Sequence, residues 1–134
     1  MTLIDTSAWV HYLRATGSET HRRVRQLVES DVTVYTTEVV LMEILAGARD
    51  EAQVARLRRL LARCEFVAVQ GLDDFQQAAA LYRRCRRAGE TVRALIDCVI
   101  AAVAIRADLA VLHADRDFET LARHTELRLD QREV

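Results

Sequence analysis

The chain contains no proline, no lysine and only four glycines in 134 residues. So little turn-forming residue excludes long loose linkers, and the elements must be joined by short turns. Repeats and low-complexity tracts are absent. No apolar run approaches the length needed to span a bilayer, so no membrane partner is expected. The start Met1-Thr2-Leu3-Ile4 has neither the basic flank nor the cleavage site of a signal peptide, and a cytoplasmic location is expected. Cysteine is scarce too: Cys64, Cys85 and Cys98 lack metal-ligand spacing. An odd count suits a reducing compartment, and all three are expected to be packing residues. The length implies one domain, residues 1–134, able to bury its own core.

The missing lysine means that all 19 basic residues are arginine. Arginine grips phosphate bidentately, which lysine does not. Three clusters stand out: Arg22, Arg23 and Arg25; Arg56, Arg58, Arg59 and Arg63; Arg83, Arg84, Arg86 and Arg87. Such clusters are ordinarily solvated helix faces. They bear on phosphate binding only where they flank an acidic site.

What is present is a set of acids where acids are normally excluded. Asp5 follows the apolar start. Glu43 interrupts the run Val39-Val40-Leu41-Met42-Glu43-Ile44-Leu45. Asp97 is the lone acid between Ala94 and Ile105, and Asp115 follows the strand-like Leu109 to His113. A buried carboxylate costs several kcal/mol unless paired or bound to metal. If the four converge, they make a site for hard divalent cations such as Mg²⁺ or Mn²⁺.

Patterning predicts short strands alternating with helices. Strands are expected around Leu3-Ile4, Val32–Tyr35, Phe66–Val69 and Ala110–His113, with a terminal fifth at Leu127–Leu129. Helices are expected over Thr6–Arg14, Ser18–Glu29, Thr37–Ala48, Glu51–Arg63, Asp73–Ala88, Val92–Ala107 and Phe118–Arg123, with Ser18 as a cap. This is an α/β pattern: a parallel sheet of about five short strands with helices on both faces. Ligands of such sheets bind beyond strand carboxyl ends, where Asp5 and Asp115 fall.

Each acid also has a plainer explanation. Asp5 can cap the first helix, and either Asp115 or Asp117 can cap the Phe118 helix. Glu43 can reach water from a helix edge, and Asp97 can pair with Arg93. Thr6 and Ser7 offer hydroxyls and first-turn N–H groups suited to phosphate or metal-bound water. Trp9 is expected in the core and His113 is expected to be a structural strand residue. Glu19, Glu29, Glu51, Glu65, Glu90, Glu126 and Glu133 lie in polar surroundings and receive no chemical role.

The joint pattern is more specific. Leu3-Ile4-Asp5-Thr6-Ser7-Ala8-Trp9, Glu43-Ile44-Leu45-Ala46-Gly47, Asp97-Cys98-Val99-Ile100-Ala101-Ala102 and Leu112-His113-Ala114-Asp115-Arg116-Asp117-Phe118 occur in that order. Together they closely resemble the PIN-domain family, specifically its VapC-type ribonuclease toxins, over essentially the whole chain. The resemblance implies that Asp5, Glu43, Asp97 and Asp115 form a catalytic, metal-binding quartet, with Asp117 a less uniform fifth acid and Thr6 lining the site. In the expected division of labour, Asp5 and Asp97 hold one metal and Glu43 orients or deprotonates water. Asp115, with Asp117, completes a second site, while Arg93 orients Asp97 or meets a substrate phosphate. The resemblance further implies an RNA substrate and a small DNA-binding antitoxin. Assembly as a homodimer or a toxin–antitoxin hetero-oligomer goes with it. A housekeeping PIN nuclease without antitoxin and a non-catalytic RNA- or protein-binding module stay open. An Asp-x-Asp phosphohydrolase built on Asp115 and Asp117 is disfavoured, because too little chain follows to complete it.

Overall fold

A computed structural model describes residues 1–130; Glu133 lies outside the described residues. Four short strands form one all-parallel sheet: β1 (Thr2–Ile4), β2 (Val34–Thr36), β3 (Glu65–Phe66) and β4 (Ala110–Leu112). Their order across the sheet is β3-β2-β1-β4. β1 is central and buried along its whole length, as its run of apolar residues requires. Among the described residues, seven helices connect and cover the strands: α1 (Thr6–Leu13), α2 (Glu19–Glu29), α3 (Glu38–Ala46), α4 (Glu51–Leu61), α5 (Gly71–Arg87), α6 (Leu95–Arg106) and α7 (Arg116–His124).

The chain steps from β1 outward to β2 and β3, then returns past β1 to β4. Right-handed crossovers therefore place α1 to α4 on one face and α5 with α6 on the other. The reversal falls between β1 and β4, which makes that pair the switch point at which α/β sheets bind ligands.

Local chemistry fixes the helix starts. Asp5, Ser18, Asp50 and Asp115 each cap a helix by accepting a backbone N–H, from Ser7, His21, Gln53 and Asp117 respectively. α6 is apolar nearly all round and runs through the core, with every residue from Asp97 to Ala104 buried. Side chains such as Ile100 and Val103 contribute about 1.5–3 kcal/mol each on burial, enough to offset the cost of carrying Asp97 inside. Trp9 is buried, as expected. Cys85 and Cys98 are buried and Cys64 half-buried, all three free. Burial pushes the Cys98 thiol up to about 12 and Cys64 to about 11, so both behave as packing groups rather than nucleophiles. No helix among the described residues is long and apolar enough to cross a membrane.

Three expectations are corrected. Among the described residues the sheet has four strands, because Leu127–Leu129 contributes a single bridge from Leu129 to Val111. The chain is pinned there by Asp130, which accepts from Thr2 and from Arg23. β3 spans Glu65–Phe66 rather than Phe66–Val69. After the Val67 N–H meets Thr36 O, the chain leaves the sheet and the Val69 N–H donates to Glu38 instead. Finally, α6 begins at Leu95 and not Val92, because the N–H groups of Arg93 and Ala94 are taken by Asp117.

Candidate active site

The carboxyl ends of β1 and β4 lie side by side, and the Asp5 N–H donates to Leu112 O at 2.9 Å. Asp5 leaves β1 buried, 3% exposed. Its Oδ2 accepts from the Ser7 N–H at 2.9 Å and the Ser7 hydroxyl at 2.6 Å. The same hydroxyl accepts from the Ala114 N–H at 2.9 Å, so Ser7 joins the two strand ends. This corrects the expectation that Ser7 offers free donors to a ligand. Thr6, facing the other way, donates to Glu43 Oε1 at 2.8 Å and links α1 to α3.

Asp97, Asp115 and Asp117 form a tight cluster in which one carboxyl oxygen of each lies within 4.8 Å of the others. Asp117 is buried and its two oxygens accept from the Arg93 and Ala94 N–H groups, both at 2.9 Å. It therefore sets where α6 begins and where Asp97 sits. Asp115 caps α7 and accepts from Arg93 Nη2 at 3.3 Å. The Arg93 Nε lies 3.5 Å from Asp117. The plainer alternative for Asp97, an ion pair with Arg93, does not form: Arg93 pairs with the two acids of the 115–117 turn.

His113 lies closer to this chemistry than its expected structural role suggests. Its Nδ1 accepts the Asp115 N–H at 3.0 Å, and its ring packs on Phe118 with centroids 5.4 Å apart. Nε2 lies 3.4 Å from Glu119. The signal for this was a histidine two residues before a candidate acid, which is common and uninformative alone.

The electrostatics are those of like charges forced together. Burial first, then the negative charge of Asp5, then a hydrogen bond to Asp117, push Asp97 up to about 8. Burial raises Asp5 above the ordinary carboxylate range, although its bonds from Ser7 work against this. Glu43 is also raised, by burial and by the charge of Asp5. Asp117 goes the opposite way. Burial works to raise it, yet the Arg93 and Ala94 N–H groups, Asp97 and the Arg93 charge hold it below that range.

Two oxygens of the site are left over: Asp5 Oδ1 and Asp97 Oδ2 are buried with no hydrogen-bond partner among the described residues. An orphaned buried acceptor costs about 1–3 kcal/mol, more when charged. Two such oxygens beside the Asp115–Asp117 turn, in an all-oxygen donor set, fit a hard divalent cation. The structure brings Asp5, Asp97, Asp115 and Asp117 to one place. Glu43 and Thr6 stand on the α1–α3 side of Asp5, and Arg93 covers the 115–117 side.

Residues 2–124 match the family model of the PIN domain, and the chain belongs to that family. It is 46% identical to a VapC ribonuclease of Mycobacterium bovis and to ribonuclease VapC11 of Mycobacterium tuberculosis, each over 96% of both chains. Solved structures share the fold at lower identity. VapBC2 of Rickettsia felis bound to a promoter DNA fragment aligns with TM-score 0.74, 18% identity and 96% of each chain. VapC20 of Mycobacterium tuberculosis, a sarcin–ricin-loop-cleaving toxin, aligns with TM-score 0.68 and 24% identity, over 96% of this chain and 99% of that one.

Proposed function

We infer that this protein is a metal-dependent endoribonuclease that acts as the toxin of a toxin–antitoxin pair. The observation that carries the reading is the buried carboxyl cluster at the β1–β4 switch point, with its two unpartnered oxygens. The near-full-length likeness to VapC ribonucleases supports RNA as the substrate.

Asp5 and Asp97 are the groups to hold a Mg²⁺ ion, with Mn²⁺ as an alternative. Asp115 and Asp117 contribute a second or weaker position. When bound, the ion offsets phosphate charge and stabilises the departing oxygen. Glu43, held by Thr6 and made more basic than an ordinary glutamate by burial, is the group to orient the attacking water and take its proton. The water oxygen bonds to phosphorus as the P–O3′ bond breaks, leaving a 3′-hydroxyl and a 5′-phosphate. Arg93 has an exposed side chain and shifts from Asp115 to a substrate phosphate as that phosphate arrives. The same reading includes a small DNA-binding antitoxin and a homodimer or toxin–antitoxin hetero-oligomer in the cytoplasm.

The test is inducible expression of the parent, Asp97→Asn and Glu43→Gln, with new RNA 5′ ends mapped across the cell. The parent arrests growth, creates defined 5′-phosphate ends and is relieved by co-expressed antitoxin. Both variants lose cleavage by roughly 10²-fold or more, the range for losing a positioned acid–base group. In Glu43→Gln, Mg²⁺ binding is largely kept, whereas Asp97→Asn weakens it. Full cleavage by Asp97→Asn, or cleavage in excess chelator, defeats the metal-nuclease reading. Cleavage without growth arrest favours a nuclease that has no antitoxin.

A further inference from the structure

The acidic cluster presents a difficulty for its own substrate, since RNA is a polyanion and five carboxylates gather where it must be cut. Charge of the opposite sign has to lie along the strand's path. It is in excess along one flank. Between α1, α3 and α4 runs a cavity of about 680 Å³ that opens onto Thr6 and Glu43 and is lined by Arg14, Arg49 and Arg56. Glu43 is the sole acid on that lining among the described residues. None of the three guanidinium groups meets a carboxylate among the described residues, whereas Arg23, Arg84, Arg106, Arg123 and Arg128 are all ion-paired. On the other flank, a cavity of about 560 Å³ beyond Asp117 is balanced, with Glu90, Asp117 and Glu119 set against Arg93, Arg116 and Arg123. Net positive charge therefore leads away from Glu43, whereas acids and arginines balance on the lining beyond Asp117.

We propose that the RNA strand on one side of the scissile phosphate lies in this groove, with Arg14, Arg49 and Arg56 holding its phosphates. The inference rests on the ribonuclease reading and adds the direction in which the strand leaves the site. The groove floor is aliphatic and contains no aromatic ring, so it offers riboses and bases an apolar face but no stacking platform. Recognition on this flank is accordingly by charge and shape, with little base preference.

The test measures binding of a short labelled single-stranded RNA as a function of salt. It is made in the Asp97→Asn background so that nothing is cut. Replacing all three arginines by glutamine lowers the slope of log K against log salt by about 2, at roughly 0.7 per lost phosphate contact on single strands. Replacing them by lysine keeps most of the slope, because the charge remains. Melting temperature and Mg²⁺ binding of each variant in the otherwise parental chain confirm an intact fold. An unchanged slope in the glutamine variant overturns the proposal. If that variant keeps RNA binding but no longer binds a co-expressed small partner protein, the groove is a protein-docking site and the proposal is likewise overturned. If the Asp97→Asn protein with all three arginines binds no RNA, the ribonuclease reading falls and this inference goes with it. The two failures are thus distinguishable.

Discussion

Asp97 and Asp117 bring carboxyl oxygens within 4.8 Å of each other, and the two acids share a proton unequally. The two backbone N–H groups and Arg93 stabilise Asp117 as the charged acceptor. Asp97, whose Oδ2 has no partner, is left as the proton donor with its pKa at about 8. The metal-free protein should consequently lose stability as pH rises. An unfolded aspartate titrates near about 4, so the folded state binds more protons between about 4 and 8. The contribution of Asp97 is full below that window and is lost as pH climbs through about 8. Asp5 and Glu43 shift in the same direction and add to the slope. Thermal melts in chelator should show Tm falling across the window, with a shallower fall for Asp97→Asn. A parent protein with constant Tm over that range would falsify the assignment.

Metal binding should expel that proton. Below about pH 8 the incoming ion must displace it from Asp97, so affinity for Mg²⁺ rises with pH and protons are released. Titration calorimetry in two buffers of different ionisation enthalpy reads the release directly. Identical apparent enthalpies near neutral pH would show that no proton leaves.

Substitution of the two partners should have opposite effects on stability. Asp117→Ala strands the Arg93 and Ala94 N–H groups and frees the start of α6, at about 1–3 kcal/mol for each donor left unpaired. Asp117→Asn, which keeps one acceptor oxygen, should lose less. Asp97→Asn should leave the metal-free protein about as stable as the parent below about pH 8, where an amide replaces a protonated carboxyl, and more stable above it, where it removes a repelled charge. Denaturant melts in chelator distinguish the cases, and equal losses for Asp117→Ala and Asp97→Asn would contradict the clamp.

His113 should matter through Asp115 rather than by touching substrate. His113→Leu removes the acceptor for the Asp115 N–H and should weaken Mg²⁺ binding on the order of tenfold, the usual cost of losing an outer support. His113→Asn places an oxygen near the position of Nδ1 and should recover most of that loss. Metal titration of the purified proteins decides it, and Leu and Asn variants of equal affinity would remove the role.

Much of this architecture was legible in the sequence because local pattern and burial agreed. Leu3-Ile4 had to be an inner strand, and Asp97 was conspicuous as one acid in a wholly apolar helix. What escaped notice depends on partners distant in the chain. Nothing near Val92 announces that Asp117 will take the next two N–H groups and delay α6 to Leu95. Phe66 to Val69 has the composition of a strand, yet only Thr36 and Glu38 reveal where it leaves the sheet. Arg93 was visible as a partner for Asp97, but the fold delivers it to the 115–117 turn. The arginines of the α1–α3–α4 groove come from three separate segments, and only one of them belongs to a cluster apparent in the sequence.

The Ser7 hydroxyl joins Asp5 to Ala114, residues more than a hundred positions apart. Synthesis runs from Asp5 toward Ala114, so a growing chain on the ribosome carries Asp5 and Glu43 long before the segment that completes their surroundings. Until β4 has emerged and docked, the carboxyl groups have nothing to hold them together. A nascent copy therefore lacks the assembled carboxyl site, which forms only once β4 and the Asp115–Asp117 turn have been made.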